Sequence, residues 1–284
     1  MGRVTTRRRV YRVVDGVVNA RPDTLTVEEP LEIRVNGKPL SVTMRTPGDD
    51  FDLAAGFLVG EGVVRKASDI AGIRYCAGAT VDGSNTYNVL DVVLAEGVAG
   101  PDPSIERNFY TTSSCGLCGK ASLDAVKLAS TWSLHEDELG MDVRMLATLP
   151  DKLRAAQRVF DRTGGLHAAG LFDARGDMLC LREDVGRHNA VDKVVGWAAR
   201  ANWLPITGTV LMVSGRASFE LVQKAVMAGI PMLSAVSAPS SLAAELAAEM
   251  GLTLVGFLRG NSMNVYAGAH RLGLEEKNKN KVDA

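Results

Sequence analysis

The sequence predicts an α/β fold in which a mostly parallel sheet is covered by helices, preceded by a smaller α+β unit. In the second half of the chain, short apolar segments of strand length alternate with segments of helical periodicity, which is typical of such a sheet. In the first third, two runs of alternating apolar and polar residues flank Asn36-Gly37, a pair that favours a tight hairpin turn. A length of 284 residues is enough for one or two domains.

The amino-terminal unit is predicted over residues 1–108. Its predicted strands are residues 31–35, 40–44 and 87–94. A helix is expected to begin after the turn-forming run Thr46-Pro47-Gly48 and to end at Gly60-Glu61-Gly62. The polar, proline-containing segment 95–108 then marks the boundary of this unit.

The larger α/β domain is predicted over residues 121–273, after a mobile loop at residues 109–120. Its predicted elements are a hairpin of strands 168–172 and 178–181, helix 189–201, strand 210–213, helix 219–228, strand 232–236, helix 242–250 and strand 252–257. The polar tail at residues 274–284 is predicted to be disordered, because it has few apolar residues to bury.

Composition excludes several classes of function. The chain is 46% hydrophobic and 23% charged with a net charge of −1, so it has no overall attraction to nucleic acid or to a membrane surface. No stretch approaches the ~18–20 uninterrupted apolar residues of a membrane span, and the amino terminus lacks the apolar core of a secretion signal. We therefore expect a cytoplasmic protein that binds neither nucleic acid nor membrane, with any anion held by a local site.

The clearest candidates for chemistry are Cys115 and Cys118, which lie among small residues just before a helix-like pattern. Two intervening residues let both sulfurs face one centre, which can be a disulfide partner, a metal or a sulfur atom in transit. A helix amino terminus and the nearby Lys120 would favour thiolate over thiol. The segment is therefore suited to reactive sulfur chemistry.

Two other interpretations of this pair stay open. A zinc site within one chain needs further ligands at similar spacing, whereas Cys76 and Cys180 are isolated and the four histidines form no closely spaced set. A zinc ion shared by two subunits is still compatible with the sequence. A thioredoxin-like pair usually follows an early strand of a βαβ unit, and here more than a hundred residues come first.

Three segments that follow predicted strands are rich in Ser, Gly and Arg: residues 214–218, 237–241 and 257–262. Ligands of open α/β sheets bind at the carboxyl ends of strands, where helix amino termini present N–H groups to anions. Arg216 and Arg259 could each bind a phosphate group. Helix caps and turns use the same residue types, but the recurrence of such segments at one end of a sheet favours an anionic ligand.

A further polar run, Glu183–Asn189, precedes a predicted helix. It could hold a ligand or line a subunit contact, and Asn189 alone is accounted for as a cap of that helix. His167 could equally belong to a pocket or to the core.

Together, these residues resemble the FdhD/NarQ family of formate dehydrogenase accessory proteins. The Cys-x-x-Cys pattern alone is weak evidence, but six ordered motifs across residues 31–272 are strong. The motifs are residues 57–62, 115–119, 163–169, 183–193, 218–224 and 252–257.

The resemblance implies a cytidine deaminase-like three-layer α/β domain and a sulfur carrier activity. Family members take persulfide sulfur from a cysteine desulfurase and transfer it to the molybdenum cofactor, bis(molybdopterin guanine dinucleotide), which then enters formate dehydrogenase. Deaminases place zinc ligands at two helix starts. The comparable segments here, 215–218 and 239–242, contain neither Cys nor His, which argues against deamination and against a resident metal.

The resemblance also assigns roles to residues and implies a homodimer. Cys115 is expected to carry the persulfide and Cys118 to assist or resolve it. The guanine dinucleotide is expected to contact Phe257, Leu258, Arg259, Gly260, Asn261 and Ser262, with Ser214, Arg216 and Ser237 completing the site. In place of this segment, some members carry a Lys-Pro-Gly-Arg run. The alternative is a non-catalytic cofactor-binding chaperone whose cysteine pair is structural or binds zinc.

Overall fold

The computed structural model describes residues 4–76, 86–101 and 129–274, together with Leu123 and Val126. The strands are β1 Thr5–Val14, β2 Val17–Thr26, β3 Glu29–Val35, β4 Lys38–Arg45, β5 Ile70–Tyr75, β6 Val89–Leu94, β7 His167–Asp173, β8 Met178–Asp184, β9 Thr209–Val213, β10 Met232–Ala235, β11 Thr253–Arg259 and β12 Ser262–Ala267. The α-helices are α1 Asp50–Gly60, α2 Val143–Ala156, α3 Arg158–Thr163, α4 Arg187–Arg200, α5 Phe219–Met227 and α6 Ser241–Met250. Among these helices none is both long and apolar enough to cross a membrane.

The amino-terminal part forms two separate sheets. Strands β3 to β6 form a four-stranded sheet in the order β4-β3-β6-β5, and the predicted hairpin at Asn36-Gly37 is confirmed. Strands β1 and β2 form a two-stranded ribbon that the sequence reading missed. Its turn residues, Asp15 and Gly16, both have positive φ angles, as tight hairpins require.

The carboxyl-terminal part contains a six-stranded sheet in the order β12-β11-β10-β9-β7-β8. The prediction of a mostly parallel sheet was wrong. Only β9–β10 and β10–β11 pair in parallel, whereas β7–β8, β7–β9 and β11–β12 are antiparallel, so the sheet is mixed. The difference arises because antiparallel strands flank the parallel centre on each side, and β12 lies in a segment for which no element was predicted. The cytidine deaminase-like topology stays a prediction.

Each face of this sheet packs on a different hydrophobic cluster. On one face, the apolar residues of α4, α5 and α6 form a continuous core with α1 and the four-stranded sheet. On the other face, Leu146, Leu149 and Leu153 of α2 pack on strand residues of opposite parity, such as Met212 and Val255. The sheet is therefore covered on both sides, and the amino-terminal unit shares the core of the larger one.

Helices α1 and α4 cross at their backbones. A Cβ atom built on Gly56 would lie 1.8 Å from the carbonyl oxygen of Asp192, and one built on Gly196 would lie 1.8 Å from the carbonyl oxygen of Asp52. Since no real Cβ can occupy either position, the two glycines allow an approach that any side chain would prevent. This contact sets the distance between the amino-terminal helix and the α/β core.

Gly56→Ala should destabilise the protein strongly, because the added methyl group forces the two helix backbones apart. Overpacking in a core costs roughly 1–3 kcal/mol, and we expect at least the upper end since the obstacle is backbone. Thermal or urea unfolding measures the effect. Gly140→Ala is the control, because nothing lies within 4 Å of its Cβ position; equal stability of the two variants would contradict the prediction.

Candidate functional site

A cavity of about 640 Å³ lies at the carboxyl ends of β9, β10 and β11. One wall comes from the sheet edge and the loop before β7, and consists of Gly164, Gly165, Leu166, His167, Val185, Ser214, Val236, Leu258, Arg259 and Gly260. The other wall comes from α2 and α3, and consists of Pro150, Asp151, Leu153, Arg154, Gln157 and Phe160. Its size and its mixture of apolar and polar groups suit an organic ligand.

Four residues predicted to bind a cofactor line this cavity: Ser214, Leu258, Arg259 and Gly260. The hydroxyl oxygen of Ser214 accepts a hydrogen bond from the backbone N–H of Ala168 at 2.9 Å, so its proton can be donated to a ligand. Arg259 donates from Nε to the carbonyl oxygen of Val236 at 2.9 Å. Its terminal amino groups make no hydrogen bond with a described residue, and they can therefore bind an anion.

Other predicted residues lie beside the cavity without lining it. Phe257 has a φ angle of 52° and a side chain that is 41% exposed, while its backbone N–H donates to the carbonyl oxygen of Ser237. Arg216 is exposed at the end of β9. Gly260 and Asn261 form the turn between β11 and β12, and Ser262 is the first residue of β12. The segment 257–262 is thus a hairpin, and its contacts with a cofactor stay predictions.

Cys115 and Cys118 lie outside the described residues. Of the other two cysteines, Cys76 is half-buried and Cys180 is a buried residue of β8. Burial raises the pKa of the Cys180 thiol to about 12. That thiol is therefore protonated at neutral pH and unsuited to nucleophilic chemistry.

The α2–α3 wall was missed by the sequence reading. The apolar spacing of Leu146, Leu149 and Leu153 is a helical signal that could have revealed α2, but Pro150 lies inside the helix and interrupts the pattern. Within this wall, the guanidinium of Arg154 stacks over the Phe160 ring at 4.7 Å.

The polar run Glu183–Asn189 proves to be mainly structural. The carboxylate of Glu183 accepts hydrogen bonds from the backbone N–H groups of Val159 and Phe160 at 2.9 and 2.8 Å, and so holds the start of α3. Asn189 does not cap α4 as expected, because that helix begins at Arg187 with Gly186 as its N-cap. The Asn189 amide instead donates to the Asp184 carboxylate at 3.0 Å and to a backbone carbonyl of β4.

Two histidines lie at the same edge of the sheet. His188 Nε2 is 2.7 Å from a carboxylate oxygen of Glu220 and 3.4 Å from the hydroxyl of Ser218. His167 lines the cavity, and burial, followed by the positive charges of Arg187 and His188, lowers its pKa. It is therefore neutral at pH 7 and can accept or donate a hydrogen bond to a ligand.

The fold defines an α/β protein with a cavity at the carboxyl ends of the central strands of a mixed sheet, and comparisons with known proteins identify its family. The model of the FdhD/NarQ family matches residues 26–273. A sulfur carrier protein FdhD from Streptomyces avermitilis is 69% identical over 275 residues, covering 96% of this chain and 98% of the relative. The chain therefore belongs to the FdhD/NarQ family of sulfur carrier proteins.

More distant relatives agree. The sulfur carrier protein FdhD of Sulfolobus acidocaldarius is 43% identical, and the alignment covers 94% of this chain and 98% of that protein. A crystal structure of a formate dehydrogenase accessory protein from Desulfotalea psychrophila superposes with a TM-score of 0.74 at 22% identity, covering 95% of this chain and 100% of that one. This last likeness supports the fold.

The lowered pKa of His167 predicts how the stability of the folded protein depends on pH. The folded protein takes up this proton at a lower pH than the unfolded chain, so it should lose stability as pH falls below about 6.5, the ordinary histidine value. By NMR titration, the His167 ring should titrate below 6.5. Arg187→Gln should raise that midpoint by removing a nearby positive charge, whereas Arg175→Gln, at the exposed β7–β8 turn, should leave it unchanged. A midpoint unaffected by Arg187→Gln would refute this account.

Proposed function

We propose that this protein takes persulfide sulfur from a cysteine desulfurase and transfers it to the molybdenum cofactor, bis(molybdopterin guanine dinucleotide), that formate dehydrogenase requires. The observation that carries the proposal is near full-length identity of 69% with a protein named as a sulfur carrier. The formate dehydrogenase connection rests on the family resemblance and on the name of the similar crystal structure. The proposal includes a cytoplasmic homodimer, a common state of soluble proteins.

In the loading step, the Cys115 thiolate attacks the outer sulfur of the desulfurase persulfide. A new S–S bond forms on Cys115 as the donor's S–S bond breaks, and the donor cysteine leaves as a thiolate. No net oxidation occurs, so no additional oxidant is needed. The rate depends on the thiolate fraction and on the nucleophilicity of the attacking sulfur.

In the delivery step, Cys118 resolves the persulfide. Its thiolate attacks the inner sulfur of the Cys115 persulfide, a Cys115–Cys118 disulfide forms, and the outer sulfur leaves as hydrosulfide. The hydrosulfide replaces an oxo ligand of the cofactor, and that oxygen departs as water with the hydrosulfide proton and one further proton from solvent. The two electrons that reduce the transferred sulfur come from the cysteine pair. A dithiol reductant then regenerates both thiols.

The cavity at the sheet edge is the proposed binding place for the guanine dinucleotide part of the cofactor. The terminal nitrogens of Arg259 and the hydroxyl of Ser214 supply donors for phosphate oxygens. Gly260 lets the backbone approach the ligand closely. The Phe160 ring and the apolar side chains of the α2–α3 wall supply surface for the base.

Cys115→Ala should abolish sulfur transfer. Purified protein incubated with a cysteine desulfurase and cysteine should gain 32 Da on Cys115, as measured by mass spectrometry, and the variant should gain none. Formate dehydrogenase produced beside the variant should be inactive. Cys180→Ala is the matched control, because the buried thiol is protonated and should not accept sulfur.

Active formate dehydrogenase produced with Cys115→Ala would overturn the carrier mechanism and favour the cofactor chaperone. In that case the same samples distinguish the versions of the chaperone, since stoichiometric zinc lost from either cysteine variant would identify a zinc-binding pair.

Arg259→Ala should weaken GDP binding while leaving sulfur loading intact. Losing one charge-assisted hydrogen bond costs about 1.5–3 kcal/mol, or on the order of tenfold to a hundredfold in affinity by calorimetry. Arg175→Ala is the control, because that exposed arginine pairs with Asp173 at the β7–β8 turn. If Arg259→Ala binds GDP as tightly as the unaltered protein does, the nucleotide occupies another site.

A further inference from the structure

Gln157 lines the cavity and has a buried side-chain amide whose N–H groups are unpaired within the described part of the chain. The residue is only 3% exposed, and its Nε2 atom has no hydrogen-bond partner among the described residues. Buried side-chain amides are normally satisfied, so an unpaired one beside a cavity calls for an explanation. A ligand that presents a hydrogen-bond acceptor at this point would satisfy the amide N–H group and so explain why it is unpaired here.

The backbone at Gln157 is fixed from both sides. Its N–H donates to the carbonyl oxygen of Arg154 in α2 at 3.3 Å, and its own carbonyl accepts from the N–H of Asp161 in α3 at 3.2 Å. The next helix is also held by the Glu183 carboxylate through the N–H groups of Val159 and Phe160. The backbone of Gln157 is therefore fixed beside the cavity before any ligand arrives.

The neighbouring groups suit a planar ring. Phe160 lines the same wall, and the Arg154 guanidinium covers its ring at 4.7 Å. Arg154 itself is held by Asp161, with 2.5 Å between Nη1 and Oδ1. Leu153 and Leu258 add apolar surface. An aromatic ring beside the unpaired amide N–H of Gln157 suits a heterocycle that carries a hydrogen-bond acceptor on its edge.

We propose that Gln157 selects the base of the bound nucleotide by donating a hydrogen bond from Nε2 to the O6 carbonyl of guanine. This inference rests on the proposed function, which places a guanine dinucleotide in this cavity. Adenine carries an amino group where guanine carries O6, so with adenine two donors would face each other and the amide would stay unpaired. A site built to pair with one group rejects an analogue that lacks it.

Calorimetry with three nucleoside diphosphates tests the assignment. IDP has the same O6 as GDP but lacks the 2-amino group, whereas ADP lacks O6. The unaltered protein should bind GDP and IDP at least about tenfold more tightly than ADP, as one satisfied buried hydrogen bond implies. Gln157→Leu should lose about tenfold for GDP and IDP and keep its ADP affinity, so that the preference disappears.

Gln157→Glu preserves size and replaces the donor by an acceptor, so it should also lose the preference for GDP and IDP, even if Gln157→Leu folds poorly. Gln223→Leu is the matched control, because that glutamine donates to the Gly60 carbonyl oxygen away from the cavity; it should keep the preference. A GDP-over-ADP preference that persists in Gln157→Glu would overturn the assignment while leaving nucleotide binding intact. Absence of GDP binding by the unaltered protein would instead overturn this inference together with the proposed cofactor site.

Discussion

Asp184 and Lys193 form an ion pair of 2.7 Å whose side chains are almost completely buried. Burying two charges is costly unless their donors and acceptors are satisfied by hydrogen bonds, and both side chains of this pair make further hydrogen bonds. The Asp184 carboxylate accepts from the backbone N–H groups of Thr46 and Gly186 and from the Asn189 amide, and Lys193 donates to the Thr46 carbonyl oxygen. One buried pair thus ties together the end of β8, helix α4 and the loop between β4 and α1.

The residue next to this ion pair also positions one wall of the cavity. Glu183 precedes Asp184 in β8, and neighbouring residues in a strand point to opposite faces. While Asp184 secures the amino-terminal unit, Glu183 holds the start of α3 and with it the wall that carries Phe160. The same stretch of chain therefore organises both faces of the sheet, which explains why a polar run at a strand end need not contact a ligand to matter for the site.

The sequence predicted those elements whose signals are local. Periodicity and the Asn36-Gly37 turn located the β3–β4 hairpin, α1, strands β7 to β11 and helices α4 to α6. No strand was predicted after residue 257, so β12 was missed and the sheet was expected to be more parallel than it is. The α2–α3 wall of the cavity could not be predicted from the sequence. Pro150 interrupts the helical pattern of α2, and the packing that brings α2 to the strand ends is not encoded in any local pattern.

The contact between Gly56 and Gly196 also bears on how the molecule can move. Two helix backbones that touch without intervening side chains leave no layer that can slide, and the adjacent buried ion pair would have to break before the two units separated. Hinge closure and shear between packed elements are common ways for proteins to close around a ligand. This architecture opposes both motions where α1 crosses α4, so we expect the amino-terminal unit and the sheet to move as one rigid frame across that contact.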